Sequence, residues 1–226
     1  MKALIINGSP RGRNSNSKVM SDFFEQGLQE CGIETENVFL TGLNIKYCQG
    51  CFGCWKNPDG KCVIQDDMSV WLNKYIEADY VIFSVPVYFY TMPAIMKNFI
   101  DRLLPLATPH IHKNANGEFF HNGRYTKYPT TIVLSNCGFP GNGNFEGIKT
   151  AFTFLRPTAV ICRNQGELLK EKQEPVNTII KQYGDLLKQT AIELINNNSI
   201  SGDLQERLTA SLIPDELYVK GANESW

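Results

Sequence analysis

Short apolar runs alternate along the chain with segments whose apolar residues recur at helical spacing. The runs have the length and composition of buried strands, and the amphipathic segments have the three-to-four-residue repeat of surface helices. Strands are predicted over 2–7, 33–40, 80–85, 130–134 and 158–162, and helices over 16–31, 66–76, 95–104, 145–155 and 176–195. The pattern therefore predicts five strand–helix units.

Strands that alternate with helices indicate right-handed crossovers and a parallel sheet with helices on both faces. The nearly continuous apolar strands agree, because a parallel strand is buried on both sides. In such a doubly wound α/β fold, ligands bind beyond the carboxyl ends of the strands. The loops that follow the strands are therefore the places to look for function.

Two segments lie outside the repeat. Residues 107–128 contain Asn116-Gly117 and Asn122-Gly123, which are turn signals, so a hairpin insertion is predicted there. The C-terminal extension over 202–226, which ends in Trp226, has apolar residues but no clear period. It is expected either to pack on a partner subunit or to fray. No internal repeat or linker is present, so residues 1–226 form one predicted domain.

The composition narrows the class of protein. The chain has 226 residues, a formal net charge of −1 and 42% hydrophobic residues. A nearly neutral chain lacks the basic surface that nucleic-acid binding requires, and no apolar run is long enough to span a membrane. There are seven cysteines and no signal peptide, so a cytoplasmic location is expected, with cysteines that act as ligands or redox groups.

The loop after the first strand is rich in small and hydroxyl side chains. It reads Asn7-Gly8-Ser9-Pro10-Arg11-Gly12-Arg13-Asn14-Ser15-Asn16-Ser17 and leads into a helix. Backbone N–H groups at a helix start favour an anion, and either arginine can add charge-assisted bonds. An ordinary strand-to-helix turn is the alternative. The loop is neither a Walker A loop nor a Gly-x-Gly-x-x-Gly loop, which favours a monophosphate.

Two further loops contribute to the same edge of the sheet. The loop after the third strand, Pro86-Val87-Tyr88-Phe89-Tyr90, can border a flat ring, although its aromatic residues could equally cap the core. After the fourth strand, Asn136-Cys137-Gly138 offers a second wall rich in backbone amides. Together the three loops predict a phosphorylated aromatic cofactor.

These motifs resemble the NADPH-dependent FMN reductase-like branch of the flavodoxin superfamily. Asn7-Gly8-Ser9-Pro10-Arg11 with Asn16-Ser17 is similar to its phosphate loop, and Pro86-Val87-Tyr88-Phe89 is similar to its isoalloxazine loop. The resemblance implies a flavodoxin-like, doubly wound five-stranded parallel sheet of order 2-1-3-4-5. The residues implied to bind FMN are Ser9, Arg11, Asn16 and Ser17 at the phosphate, and Pro86, Val87, Tyr88, Phe89, Asn136, Cys137 and Gly138 around the ring.

Four cysteines form a compact motif, Cys48-x2-Cys51-x2-Cys54-x7-Cys62. It resembles the motif of the iron–sulfur flavoproteins in this family, which implies a [4Fe-4S] cluster on these four residues, and four thiolates on one loop can ligate such a cluster. A zinc site, a thiol–disulfide pair and a motif that holds no cluster are the alternatives.

The resemblance implies an FMN-dependent oxidoreductase that passes electrons from NAD(P)H to a small acceptor such as a quinone, a nitroaromatic or a flavin. No side chain is needed as a nucleophile or general base. The alternatives are an iron–sulfur flavoprotein or flavodoxin-type carrier, which would exchange single electrons with ferredoxin-like partners, and a redox sensor. A homo-oligomer, dimer or tetramer, is expected, with the hairpin and the Trp226 tail as its contact arms.

Overall fold

A five-stranded parallel sheet runs through the middle of the computed structural model, which describes residues 1–225. Its strands are β1 (Lys2–Asn7), β2 (Glu34–Phe39), β3 (Tyr80–Pro86), β6 (Thr130–Asn136) and β7 (Ala159–Arg163), and a separate hairpin holds β4 (Ala107–Lys113) and β5 (Phe119–Gly123). The order β2-β1-β3-β6-β7 confirms the predicted order 2-1-3-4-5, because β6 and β7 are the fourth and fifth strands of this sheet.

Helices cover both faces of the sheet. They are α1 (Asn16–Glu30), α2 (Gly53–Lys56), α3 (Met68–Glu77), α4 (Ala94–Asp101), α5 (Glu146–Phe152), α6 (Val176–Asn197), α7 (Gly202–Thr209) and α8 (Asp215–Glu224). Successive strand residues point to opposite faces: Ile5 packs in the layer under α1 and α6, and Ile6 in the layer under α3 and α4. The predicted doubly wound arrangement is confirmed.

The C-terminal extension forms two helices that pack on the body of the same chain. Leu204 and Leu208 of α7 are buried in the core layer that contains α6. The sequence missed both helices because they are short and show no long apolar period. The expectation that the extension frays is wrong for its described part, which is folded against its own subunit. Packing of the extension on a partner subunit stays a prediction. Trp226 lies outside the described residues.

The predicted hairpin insertion is present. Strands β4 and β5 pair antiparallel. The hairpin reaches the cysteine segment, since the indole N–H of Trp55 donates to the Ala107 carbonyl at 3.1 Å and the His121 ring lies 4.9 Å from the Trp55 ring. Within residues 1–225, no helix combines the length and the apolar character needed to cross a membrane.

Candidate cofactor site

One cavity lies at the carboxyl ends of β1, β3 and β6. Its volume is about 290 Å³, and all eleven residues predicted to contact FMN line it, with one addition, Glu167. Its complete lining is Ser9, Arg11, Asn16, Ser17, Pro86, Val87, Tyr88, Phe89, Asn136, Cys137, Gly138 and Glu167. Loops that are far apart in sequence, such as those of Arg11 and Glu167, which are 156 positions apart, meet there because parallel strands end at a common edge.

The start of α1 forms one end of this cavity. The Ser15 hydroxyl accepts from the N–H of Lys18 at 3.1 Å and donates to the Gly12 carbonyl at 2.7 Å, so Ser15 caps the helix. The N–H groups of Asn16 and Ser17, in the first turn, have no intrahelical acceptor. These groups and the positive end of the helix dipole favour an anion.

Only one of the two loop arginines lines the cavity. Arg11 does so, whereas Arg13 stacks over the Phe39 ring with 4.7 Å between its guanidinium carbon and the ring centre. Gly12 turns the chain between them with a φ of 54°, and a Cβ there would lie 2.8 Å from the Thr41 hydroxyl. The glycine thus allows the chain to turn so that the two side chains separate.

Hydrogen bonds tie the phosphate end of the cavity to the neighbouring strand ends. The Asn136 amide donates to the Ser17 hydroxyl at 2.9 Å, and the Ser84 hydroxyl donates to the Ser17 carbonyl at 2.8 Å. The N–H of Val87 donates to the Asn136 carbonyl at 2.7 Å. The first turn of α1 is therefore held in fixed register with the loops after β3 and β6.

The loop after β3 is a tight turn built from aromatic residues. Tyr88 and Thr91 exchange two backbone hydrogen bonds, of 2.8 and 3.1 Å, around Phe89 and Tyr90. Both central residues have positive φ, 44° and 67°, which is costly for bulky side chains. The Phe89 side chain is 95% exposed. A strained turn that presents an exposed ring at a cavity is typical of a ligand-binding loop.

The residues of this cavity fit FMN. The buried side-chain oxygen of Asn16 has no hydrogen-bond partner within the described chain, and it lies among hydroxyl, guanidinium and helix N–H groups that suit a phosphate monoester. The other end offers the exposed Phe89 ring and the backbone of two loops, which suit a planar heterocycle.

The four cysteines of the motif line a second, much smaller cavity of about 20 Å³. The short helix α2 carries Cys54 inward, and Cys51 stays exposed. Burial and the neighbouring Cys62 thiol raise the pKa of Cys54. In residues 1–225, no three His, Cys, Asp or Glu side chains are arranged as a group that could hold a metal ion. The thiols therefore share a cavity without forming a closed ligand set.

A buried ion pair lies beside these cysteines. Arg102 donates to both carboxylate oxygens of Asp66, at 2.6 and 3.0 Å, and its Nη2 lies 3.6 Å from the Cys62 sulfur. The two charged side chains are 1% and 0% exposed. Burial favours the neutral acid, but the hydrogen bonds from Arg102 and from the Lys46 N–H outweigh it and keep the pKa of Asp66 below its usual range.

Residues 1–120 match the family model described as NADPH-dependent FMN reductase. The chain belongs to this family. The matched residues include the phosphate loop, the aromatic turn after β3 and the four-cysteine motif.

The curated relatives of this FMN reductase family member carry two kinds of name, iron–sulfur flavoprotein and quinone oxidoreductase. An "Iron-sulfur flavoprotein" of Archaeoglobus fulgidus is 41% identical over 105 residues, which is 46% of each chain. The chain thus spans about half the length of the curated relatives of this kind that it matches. An "FMN-dependent NADH:quinone oxidoreductase 1" of Pseudomonas fluorescens is 24% identical over 169 residues, 69% of this chain and 78% of that protein.

Solved structures share the fold of this FMN reductase family member. The NAD(P)H:quinone oxidoreductase of Methanothermobacter marburgensis superimposes with a TM-score of 0.63 at 16% identity, over 89% of this chain and 99% of that one. At this identity the likeness shows the flavodoxin-like fold.

Sequence reasoning missed Glu167, which lines the cofactor cavity and pairs with Arg11 at 3.1 Å. It follows β7 by four residues, so it lies at the same sheet edge as the predicted loops. The rule that ligands bind beyond strand ends also applies to this fifth loop. Glu167 is a single acidic residue outside any recognisable motif, so the sequence did not mark it as a site residue.

Proposed function

We propose that the chain is an FMN-dependent oxidoreductase that passes electrons from NAD(P)H to a small acceptor such as a quinone, a nitroaromatic or a flavin. With a quinone the overall reaction is NAD(P)H + H⁺ + quinone → NAD(P)⁺ + hydroquinone. The observation that carries the proposal is the single cavity lined by all eleven predicted residues. Membership of the NADPH-dependent FMN reductase family supports it, as does the name of the Pseudomonas relative.

The chain's own residues bind and orient the cofactor in this proposal. Ser9, Arg11 and the first turn of α1 hold the phosphate by charge-assisted and backbone hydrogen bonds. The turn at Phe89 and the backbone around Gly138 border the ring. FMN, when bound, supplies hydride and single-electron transfer chemistry. No side chain is required as a nucleophile, because the protein contributes binding and electrostatics.

Purification followed by FMN titration and steady-state NAD(P)H oxidation with a quinone tests this proposal. Bound FMN and turnover are expected. A matched pair of variants localises the site: Ser17→Tyr fills the phosphate end and abolishes FMN binding, whereas Ser69→Tyr on the exposed side of α3 leaves it unchanged. A protein that binds no added FMN contradicts the proposal.

A second candidate function is suggested by the four-cysteine motif and by the name of a relative, although the described thiols do not form a closed ligand set. Cys48, Cys51, Cys54 and Cys62 line one small space, and the Archaeoglobus relative is named an iron–sulfur flavoprotein. In this alternative the four thiolates hold a [4Fe-4S] cluster, and the protein exchanges single electrons with a ferredoxin-like partner. The buried Arg102 cation next to Cys62 would offset part of the negative charge of such thiolates.

An absorption spectrum of protein purified without oxygen, with iron and sulfide assayed on the same sample, separates the two candidates. About four irons per chain with a broad shoulder under the flavin bands support the cluster. Flavin bands without iron or sulfide support the NAD(P)H-dependent reductase.

We further infer a cytoplasmic homo-oligomer, a dimer or tetramer. The seven cysteines are all free thiols, which suits a reducing compartment. The hairpin leaves Ile111 and Phe119 each 69% exposed, and apolar residues at that exposure suit a subunit contact. Light scattering of the wild type and of the double variant Ile111→Asn, Phe119→Asn tests this: a lower mass for the variant is expected, and a monomeric wild type contradicts it.

A further inference from the structure

A larger cavity adjoins the cofactor cavity on the side of the C-terminal helix. It has a volume of about 830 Å³ and lies between α8 and the loops that follow β6 and β7. Arg11, Gly138 and Glu167 line both cavities, so the two spaces share a boundary. Helix α8 lies beyond the residues that match the family model.

The segment that leads into α8 is anchored by one buried side chain. The Gln165 carbonyl oxygen accepts from the N–H groups of Leu212 and Ile213 at 3.0 and 3.1 Å. Its amide nitrogen donates to the Ile213 carbonyl at 2.9 Å and to the Asp215 carboxylate at 2.8 Å. Gln165 is fully buried. These four hydrogen bonds fix the position at which α8 begins.

Two more contacts hold the extension in place. Arg163, 1% exposed, donates to the Ala210 carbonyl at 2.6 Å, and the Tyr218 hydroxyl donates to the Gly138 carbonyl. The second contact joins α8 directly to a residue that borders both cavities. The wall formed by α8 is therefore part of the folded subunit.

The chemistry of the larger cavity suits an uncharged, apolar molecule. Apart from Arg11 and Glu167, which pair with each other at 3.1 Å, none of its described lining residues carries a charge. Its apolar lining residues include Phe139, Pro140, Leu168, Ile213, Leu217 and Ala222. A dinucleotide with several phosphates would need unpaired cations, which this lining does not offer.

We infer that this cavity binds the electron acceptor, a neutral aromatic molecule of the quinone class, beside the cofactor. The inference rests on the proposed function. It specifies where the acceptor binds and to which chemical class it belongs. The volume lies within the range of small-molecule sites, and a mostly apolar lining with one polar edge is typical of them. Of the three residues on the shared boundary, Gly138 belongs to the loop assigned to the ring and Arg11 belongs to the phosphate loop, so the acceptor would lie alongside the cofactor at this boundary.

Equilibrium binding to the FMN-loaded, oxidised protein tests the inference without turnover. Menadione is the probe, its Kd is measured by calorimetry without NAD(P)H, and the Kd for FMN is measured separately. Ala222→Trp fills the cavity from α8. Lys220→Trp adds the same bulk to an exposed position of the same helix that does not line the cavity.

Ala222→Trp is expected to weaken menadione binding by about tenfold or more, since overfilled sites lose that much. Lys220→Trp is expected to change it by less than about twofold, as for ordinary surface substitutions. FMN affinity stays unchanged in both. If circular dichroism shows that Ala222→Trp does not fold, Leu217→Trp, at a 58% exposed lining position, takes its place.

Unchanged menadione binding in the cavity-filling variant overturns the inference, as does a wild-type holoprotein that binds no menadione. A parallel loss of FMN affinity also overturns it, because the cavity would then belong to the cofactor. A wild-type chain that binds no FMN is a different result: it overturns the proposed function, and the acceptor site with it.

Discussion

The guanidinium of Arg11 donates to both carboxylate oxygens of Glu167, at 3.1 and 3.3 Å. The arginine belongs to the phosphate loop after the inner strand β1, and the glutamate follows β7, the last strand in the order of the sheet. Hydrogen bonding and attraction to Glu167 raise the pKa of Arg11. The Glu167 carboxylate thus pairs with the guanidinium that is proposed to bind the FMN phosphate. The carboxylate and the phosphate therefore compete for Arg11.

Glu167→Gln should therefore tighten FMN binding. The substitution frees Arg11 and removes a negative charge from the cavity that receives the phosphate. Exposed ion pairs contribute about 0.2–1 kcal/mol, so we expect the Kd for FMN to fall by about 1.5- to 5-fold. Quenching of flavin fluorescence measures it. Glu146→Gln, which removes an exposed pair with Lys149 away from the cavity, is the control; equal or weaker FMN binding by Glu167→Gln contradicts the competition.

Two substitutions in the aromatic turn can distinguish the cost of its backbone strain from the contribution of the Phe89 ring to FMN binding. Phe89 and Tyr90 both have positive φ, but only Phe89 lines the cofactor cavity. Glycine adopts such φ values without steric cost, so each of Phe89→Gly and Tyr90→Gly should raise the free energy of unfolding by about 1 kcal/mol. Only Phe89→Gly should weaken FMN binding. Urea denaturation and FMN titration measure the two effects, and equal losses of FMN affinity would show that the turn's conformation matters more than the Phe89 ring.

The Asp66–Arg102 pair predicts a pH-dependent stability. The pKa of Asp66 is lower in the folded state than in the unfolded chain. Its contribution is therefore complete above the unfolded pKa, near 4, and is lost as the pH falls through the folded value. Asp66→Asn leaves a buried cation uncompensated and should cost about 3–5 kcal/mol at pH 7.

The difference between the wild type and Asp66→Asn should begin to shrink as the pH falls below about 4, since the wild-type carboxyl group is then protonated in the unfolded chain and, at still lower pH, in the folded protein. Denaturant midpoints from pH 7 to pH 3 measure it. Asp59→Asn, in an exposed pair with Lys61, should show little change at any pH. A constant difference between the wild type and Asp66→Asn over this range would mean that the lost packing, and not the charge, causes the destabilisation.

The strands and helices in which apolar residues recur at a regular spacing over many positions were predictable from the sequence. Strands such as Lys2–Asn7 and the helix Asn16–Glu30 agree with their predicted bounds within one residue. The loops of the candidate site were predictable for a related reason, because parallel strands bring their carboxyl ends to one edge. The hairpin at 107–123 was found through Asn116-Gly117, which lies between β4 and β5, whereas the second turn signal, Asn122-Gly123, is the end of β5.

Features that depend on contacts between distant segments were not predictable. Glu167 matters because it meets Arg11 across 156 positions, and neither residue's neighbours reveal the pairing. Arg102 is buried because Asp66 neutralises it, whereas a charged residue at the end of a helix ordinarily indicates the surface. Helices α7 and α8 are too short to show a period, and the start of α8 is fixed by hydrogen bonds to the buried side chain of Gln165, which is distant in the sequence.

Gln165→Leu should therefore release the C-terminal helix while the sheet stays folded. The substitution keeps the volume but leaves the N–H groups of Leu212 and Ile213 without acceptors, at about 1–3 kcal/mol for each buried group. Amide hydrogen exchange over 212–224 should become faster by at least about tenfold, with exchange in β3 unchanged. Gln189→Leu on the exposed face of α6, which loses only a bond to Glu193, is the control. Exchange that stays slow over 212–224 in Gln165→Leu would show that the apolar contacts of α8, such as those around Tyr218, hold the extension without the buried amide.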